Sequence, residues 1–148
     1  MTIARTLRSS LTTSEKAGGG LLELWLEVGP ACHLHCGFCF NGNGESRIAF
    51  GLLSPAEHLD ILQQFRALGG VSLGIPGNGE PFHSGNCETT MFIAREAARL
   101  GLRTNIFTSG DLLTEELANE LHSFGVSLSL KWNSFRPAVQ DRLGSSAI

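Results

Sequence analysis

Three stretches of this chain repeat one design: ALGGVSLGI at residues 67–75, RLGLRTNIF at 99–107 and SFGVSLSL at 123–130. Each has an apolar residue at a helix end, then glycine, then a strand-like run. A chain that alternates helix and strand in this way can pair its strands only in parallel, with helical crossovers. That one regularity excludes a helical bundle and an all-β sandwich.

The elements around these joints follow from local signals. Residues 21–28 (LLELWLEV) are apolar with partial alternation and predict a first strand. Ser54, Pro55 and Glu57 together mark a helix start: a Ser cap, Pro at the first helical position and Glu completing a capping box. From there Leu59, Leu62, Phe65 and Leu68 recur at helical spacing up to Gly69. Val71 to Ile75 predicts the second strand, and a second helix is expected from about Thr89 to Leu100. Arg103 to Phe107 is the third strand, and Thr114 opens a helix carrying Leu117, Leu121 and Phe124. Val126 to Leu130 is the fourth strand, and Pro137 begins a fourth helix. The predicted class is therefore α/β, a partial parallel (β/α) barrel of about four βα units. Four units amount to half of an eightfold barrel, so the expectation is the first part of a longer one.

Composition bears on what such a sheet could serve. With 148 residues the chain suits one compact domain. At 42% hydrophobic and a formal net charge of −3 it is too apolar, and too balanced in charge, for disorder. It holds only two lysines, so no nucleic-acid partner is signalled by charge. No apolar run approaches the ~18 residues of a spanning helix, and no membrane partner is expected. Residues 1–20 lack the apolar core of a secretory signal; rich in Ser, Thr and Arg, they are expected to be a flexible tail ending in Gly18-Gly19-Gly20. Residues 21–148 are then the core domain.

Three of the four cysteines, Cys32, Cys36 and Cys39, fall within eight residues just after the first strand. This is a poor disulfide framework and a good metal framework, and it points to a reducing cytoplasm. Ligand sites of parallel α/β folds sit at the carboxyl ends of strands, where this loop lies. Three thiolates can hold three irons of a [4Fe–4S] cube and leave the fourth open to a cofactor or substrate. Structural zinc is the alternative, with Cys87 or one of His33, His35 and His83 as fourth ligand. Cys87 itself, in the polar stretch HSGNCETT, reads as a free thiol rather than a ligand. His33 and His35 are given no ligand role, and His58 and His122 lie within helices as surface or packing residues.

After the second strand comes Gly77-Asn78-Gly79-Glu80-Pro81. Glycines there let a ligand approach the backbone, and Glu80 offers a carboxylate suited to an ammonium group. Alone it is a turn. Beside the cysteine loop it puts two motifs at the same end of adjacent strands.

In these residues the chain resembles the radical S-adenosylmethionine (radical SAM) enzymes. Cys32, Cys36 and Cys39 have the C-x3-C-x-Φ-C form with Phe38 as the aromatic, and Asn78 to Pro81 is similar to the family's GGEP turn, Asn78 replacing the commoner glycine. The resemblance covers roughly residues 21–143 and implies a (β/α)6-type core. It implies a [4Fe–4S] cluster on the three cysteines, its open iron chelated by S-adenosylmethionine. It further implies that Glu80 and its neighbours hold the SAM amino group and that Phe38 packs near the adenine. Ser109, in a turn similar to the family's Thr-Asn-Gly, and Lys131, Asn133 and Ser134, after the fourth strand, become candidates for the other polar groups of SAM. An ordinary polar loop before a helix is the competing reading of the last three.

The activity implied is reductive cleavage of SAM to a 5′-deoxyadenosyl radical that takes hydrogen from a substrate, with a flavodoxin- or ferredoxin-type reductant as partner. No catalytic acid–base residue is expected, because the cofactors carry the reaction. The substrate stays open, since family members act on peptides, nucleotides, RNA and small metabolites. A missing C-terminal half or a partner chain would supply the remaining strands. The alternative is a truncated, non-catalytic iron–sulfur or zinc-binding module.

Overall fold

A computed structural model describes residues 21–41 and 52–143 of the chain. The expected N-terminal tail and most of the Asn41–Gly44 stretch lie outside the described residues. Among the described residues four strands, β1 (Glu23–Trp25), β2 (Ser72–Ile75), β3 (Arg103–Thr108) and β4 (Ser127–Leu130), alternate with four helices, α1 (Pro55–Ala67), α2 (Cys87–Arg99), α3 (Glu115–Ser123) and α4 (Pro137–Leu143). The sheet is parallel throughout, in the order β1-β2-β3-β4. The alternation in the sequence thus appears as the fold. At its three joints Gly69, Gly101 and Gly125 take φ of 89°, 71° and 71°, the left-handed turn that ends each helix and that a side chain would strain.

Register assigns the faces of the sheet. Leu24 stands beside Leu73 and Thr104, and Ile75 beside Ile106 and Leu128. This face meets Leu62 and Phe65 of α1, Ile93, Ala94 and Ala97 of α2 and Leu121 of α3 in one buried core. On the other face Trp25 aligns with Gly74 and Asn105, and Phe107 with Ser129. Trp25 and Phe107 are exposed there, their ring centroids 5.8 Å apart.

Two boundaries differ from expectation. The first strand, expected over residues 21–28, is regular only from Glu23 to Trp25, though the Leu26 amide still donates to Gly74 at 2.9 Å. Beyond it the chain turns to dock on Asn86, whose side-chain amide reaches the carbonyls of Gly29 and Ala31. Helix α2 begins at Cys87, before the expected Thr89, capped by Asn86 without a side-chain hydrogen bond to the helix. The Asn86 Nδ2 bonds to the other loop hold the side chain away from the cap, and Oδ1, the atom that would accept from the helix, meets no donor among the described residues.

Candidate cofactor site

Both motifs leave the same edge of the sheet, where β1 and β2 end. They are held together by backbone contact. The Glu80 amide donates to Ala31 at 2.9 Å, and a Cβ on Gly79 would overlap the carbonyl of that same residue. The open side of Gly79 therefore admits the protein's own loop; the expectation that these glycines make room for a ligand misses this. Asn86, almost wholly buried, completes the joint: its Nδ2 donates to Ala31 at 2.7 Å and to the Glu80 carbonyl at 2.9 Å. On the outer side Glu27 accepts from the Asn78 amide, and Asn41 Nδ2 donates to the Asn78 carbonyl at 2.6 Å.

The cysteine loop and this glycine shelf face a cavity of about 460 Å³. Cys32, Cys36 and Cys39 line it with Phe38, as do Gly77, Asn78, Gly79 and Glu80, and then Ser109 and Lys131 from the ends of β3 and β4. Leu34, Phe40 and Phe107 supply apolar wall. Asn133 and Ser134 are not brought to it; their backbone amides donate to Gln140 Oε1 at the start of the last helix, at 3.0 and 3.1 Å. Cys87 is also elsewhere, in the first turn of α2 against the core, where burial and then the nearby Glu120 push its thiol pKa up. No three His, Cys, Asp or Glu side chains among the described residues are gathered for a single metal ion. The three thiols share a cavity without being preassembled round one point.

Glu80 is 4% exposed, a depth at which a carboxylate needs partners. It finds them in the protein: Thr108 Oγ1 donates to Oε1, while the Ser109 amide and hydroxyl lie 3.0 and 2.8 Å from Oε2. The Glu80 side chain thus ties the shelf to the end of β3. The Ser109 hydroxyl, with one proton, also lies against Asp111 Oδ1, and Asp111 Oδ2 meets His33 Nε2 from the cysteine loop. Burial works against the Asp111 charge, but hydrogen bonds from Ser109 and His33, and the His33 charge, outweigh it and hold the carboxyl below its usual range. His33 stacks on His83 with centroids 6.1 Å apart. From β4, the Lys131 ammonium lies 3.7 Å from Cys36 Sγ and 4.1 Å from the Phe38 ring centroid.

Sequence reasoning missed Glu27, Asn86, Thr108 and Asp111. Thr108 and Asp111 flank Ser109, and their signal was their place at a strand's carboxyl end. Asn86 carried none, because a buried asparagine and a loop asparagine look alike in a sequence.

The topology agrees with that of known proteins. GTP 3′,8-cyclase of Geobacter sulfurreducens is 35% identical over 115 residues, 76% of this chain and 34% of that protein. Among solved structures, Streptococcus suis SuiB bound to S-adenosylmethionine matches with a TM-score of 0.71 at 22% identity, over 92% of this chain and 31% of that one. BtrN in complex with AdoMet and 2-DOIA matches with a TM-score of 0.61 at 21% identity, over 84% and 52%. These two likenesses concern the fold, a partial barrel of alternating strands and helices. The chain spans about a third of the length of the cyclase it matches. The family model described as the Radical SAM superfamily matches residues 26–147, which include both motifs and strands β2 to β4, and the chain belongs to that superfamily.

Proposed function

We propose that this chain holds a [4Fe–4S] cluster on Cys32, Cys36 and Cys39 and S-adenosylmethionine beside it, as the core of a radical SAM enzyme. The observation that carries this is the single cavity shared by the three cysteines and the Gly77–Glu80 shelf. The donor set fits the cofactor: three thiols from one loop leave one iron without a protein ligand, as a chelating cofactor requires. The shelf would take the amino group of SAM, with the buried Glu80 carboxylate supplying negative charge behind it. Phe38, 47% exposed, offers a ring face for the adenine. Ser109 and Lys131 stand at the cavity wall for the remaining polar groups, and the proposal gives Asn133 and Ser134 no part.

When bound, the two cofactors supply one-electron cleavage of the sulfonium and hydrogen-atom abstraction from a substrate. The protein's own work is to orient and to line the cavity. Thr108 and Ser109 fix Glu80 so that the shelf keeps its distance from the cysteine loop. Leu34, Phe40 and Phe107 give the cavity an apolar wall beside the sulfurs. A flavodoxin- or ferredoxin-type donor is the expected reductant, and reduced thiols on an iron loop suit a cytoplasmic setting. One relative is named a GTP cyclase and one neighbour was solved with a precursor peptide. A shared scaffold with unlike ligands assigns substrate choice to side chains beyond the cluster loop and shelf.

Anaerobic reconstitution tests the reading. The chain should take up iron and sulfide and, with SAM and dithionite, release 5′-deoxyadenosine. Cys36→Ala should abolish both and Cys87→Ala should spare both. Zinc without sulfide would replace the cluster with a structural metal, and an intact cluster without cleavage would leave a binding module.

A further inference from the structure

Lys131 follows β4 directly, its backbone amide donating to Thr108 at 2.9 Å. Its side chain turns toward the cysteine loop, 95 residues away in the chain, where Nζ lies 3.7 Å from Cys36 Sγ. The same ammonium sits 4.1 Å from the centroid of the Phe38 ring, whose face attracts a cation and confines Lys131 to the sulfur. Cys36 is the buried member of the three cysteines, at 6% exposure. Lys131 is also the sole lysine or arginine lining the cavity among the described residues. One unit of positive charge is therefore set against the most enclosed sulfur of the loop.

We propose that Lys131 sets the reduction potential of the cluster by holding its charge and an N–H···S contact on Cys36; this rests on the cluster reading above. Reduction brings one electron from an external donor and adds one negative charge to the cluster, with no bond made or broken. A cation at a ligating sulfur favours that reduced state, since net charge and hydrogen bonds to sulfur govern such potentials. The effect is stronger where burial lowers the local dielectric, as at Cys36. Lys131 is a positioning and tuning residue in this role, acting through Cys36.

The test is a redox titration of the reconstituted 148-residue chain, followed by the electron paramagnetic resonance of the reduced cluster, without SAM. Lys131→Met should load with the same iron and sulfide as the parent yet show a more negative midpoint. Lys131→Arg, which keeps the charge, should return close to the parent. Phe38→Leu should move the midpoint the same way by less. Because Lys131 is an exposed side chain, the gap between parent and Lys131→Met should narrow as salt is raised, which a purely structural role would not produce. Equal midpoints in fully loaded Lys131→Met and parent would overturn the proposal and leave the cluster assignment standing. Failure of Lys131→Met to load while Lys131→Arg loads would overturn it in favour of a strut. A parent chain that takes up no sulfide would remove the cluster reading, and the proposal with it.

Discussion

Asn86 reaches three carbonyls with one amide group: those of Gly29 and Ala31 before the cysteines, and that of Glu80 on the shelf. The Ala31 carbonyl also accepts from the Glu80 amide, and the Glu80 carbonyl from the His83 amide. Truncation would therefore cost lost bonds and a small void, and would leave the Gly29 carbonyl without its donor. Asn86→Ala should destabilise the fold by about 2–3 kcal/mol, read as a lower urea midpoint at unchanged slope. Asp111 makes a separate, pH-dependent tie between β3 and the cysteine loop. Its folded pKa is depressed, so its contribution is present above its ordinary value of 3.8 and lost as pH falls through the folded value. Asp111→Asn should accordingly lower the melting temperature at neutral pH and lose that effect in acid. A gap between the two proteins that persists in acid would assign the loss to packing.

Among the elements, α1 was the most legible before folding. Its start needs only local chemistry, and both halves of the box form: Ser54 Oγ accepts from the Glu57 amide at 3.3 Å, and Glu57 Oε2 accepts from the Ser54 amide at 2.7 Å. These bonds from Ser54, side chain first and backbone next, lower the Glu57 pKa. Ser54→Ala should destabilise the chain by about 1 kcal/mol, measured by chemical denaturation at neutral pH. Strand β1 was less legible. Its residues alternate well past Trp25, but the pairing needed to continue depends on β2, which turns into the shelf after Ile75. The start of α2 was hidden for a similar reason, since the residue that caps it works mainly for another loop.

For the whole molecule, the two faces of the sheet matter most. One is covered by helices, while the other carries Trp25, Asn105, Phe107 and Ser129 with no helix over it among the described residues. Parallel sheets bury both faces, and in a barrel the uncovered one is the interior. The joint between loop and shelf is the other global feature, and Gly79 is its tightest point. Gly79→Ala would push the shelf away from Ala31, a backbone atom that cannot swing aside. It should cost about 1–3 kcal/mol and reduce iron uptake, whereas an equally destabilising change in the core would leave iron uptake per folded chain intact. Measuring iron and denaturation on the same sample separates the two.

Helix, strand and the three-cysteine loop depend on neighbours close along the chain, through periodicity, caps and spacing, and all were legible as a string of residues. The parallel pairing followed too, because alternating elements leave little choice of topology. The partners of each polar group did not follow. Glu80 could be recognised as a carboxylate beside a cofactor motif, but its burial under Thr108 and Ser109 depends on β3 lying next to β2. Lys131 could be named as a candidate, but its place against Cys36 depends on two strand ends converging across 95 residues. Local preferences act over a few residues, whereas hydrogen bonds and charges act over a few ångströms, and only the folded chain decides which distant residues lie that near.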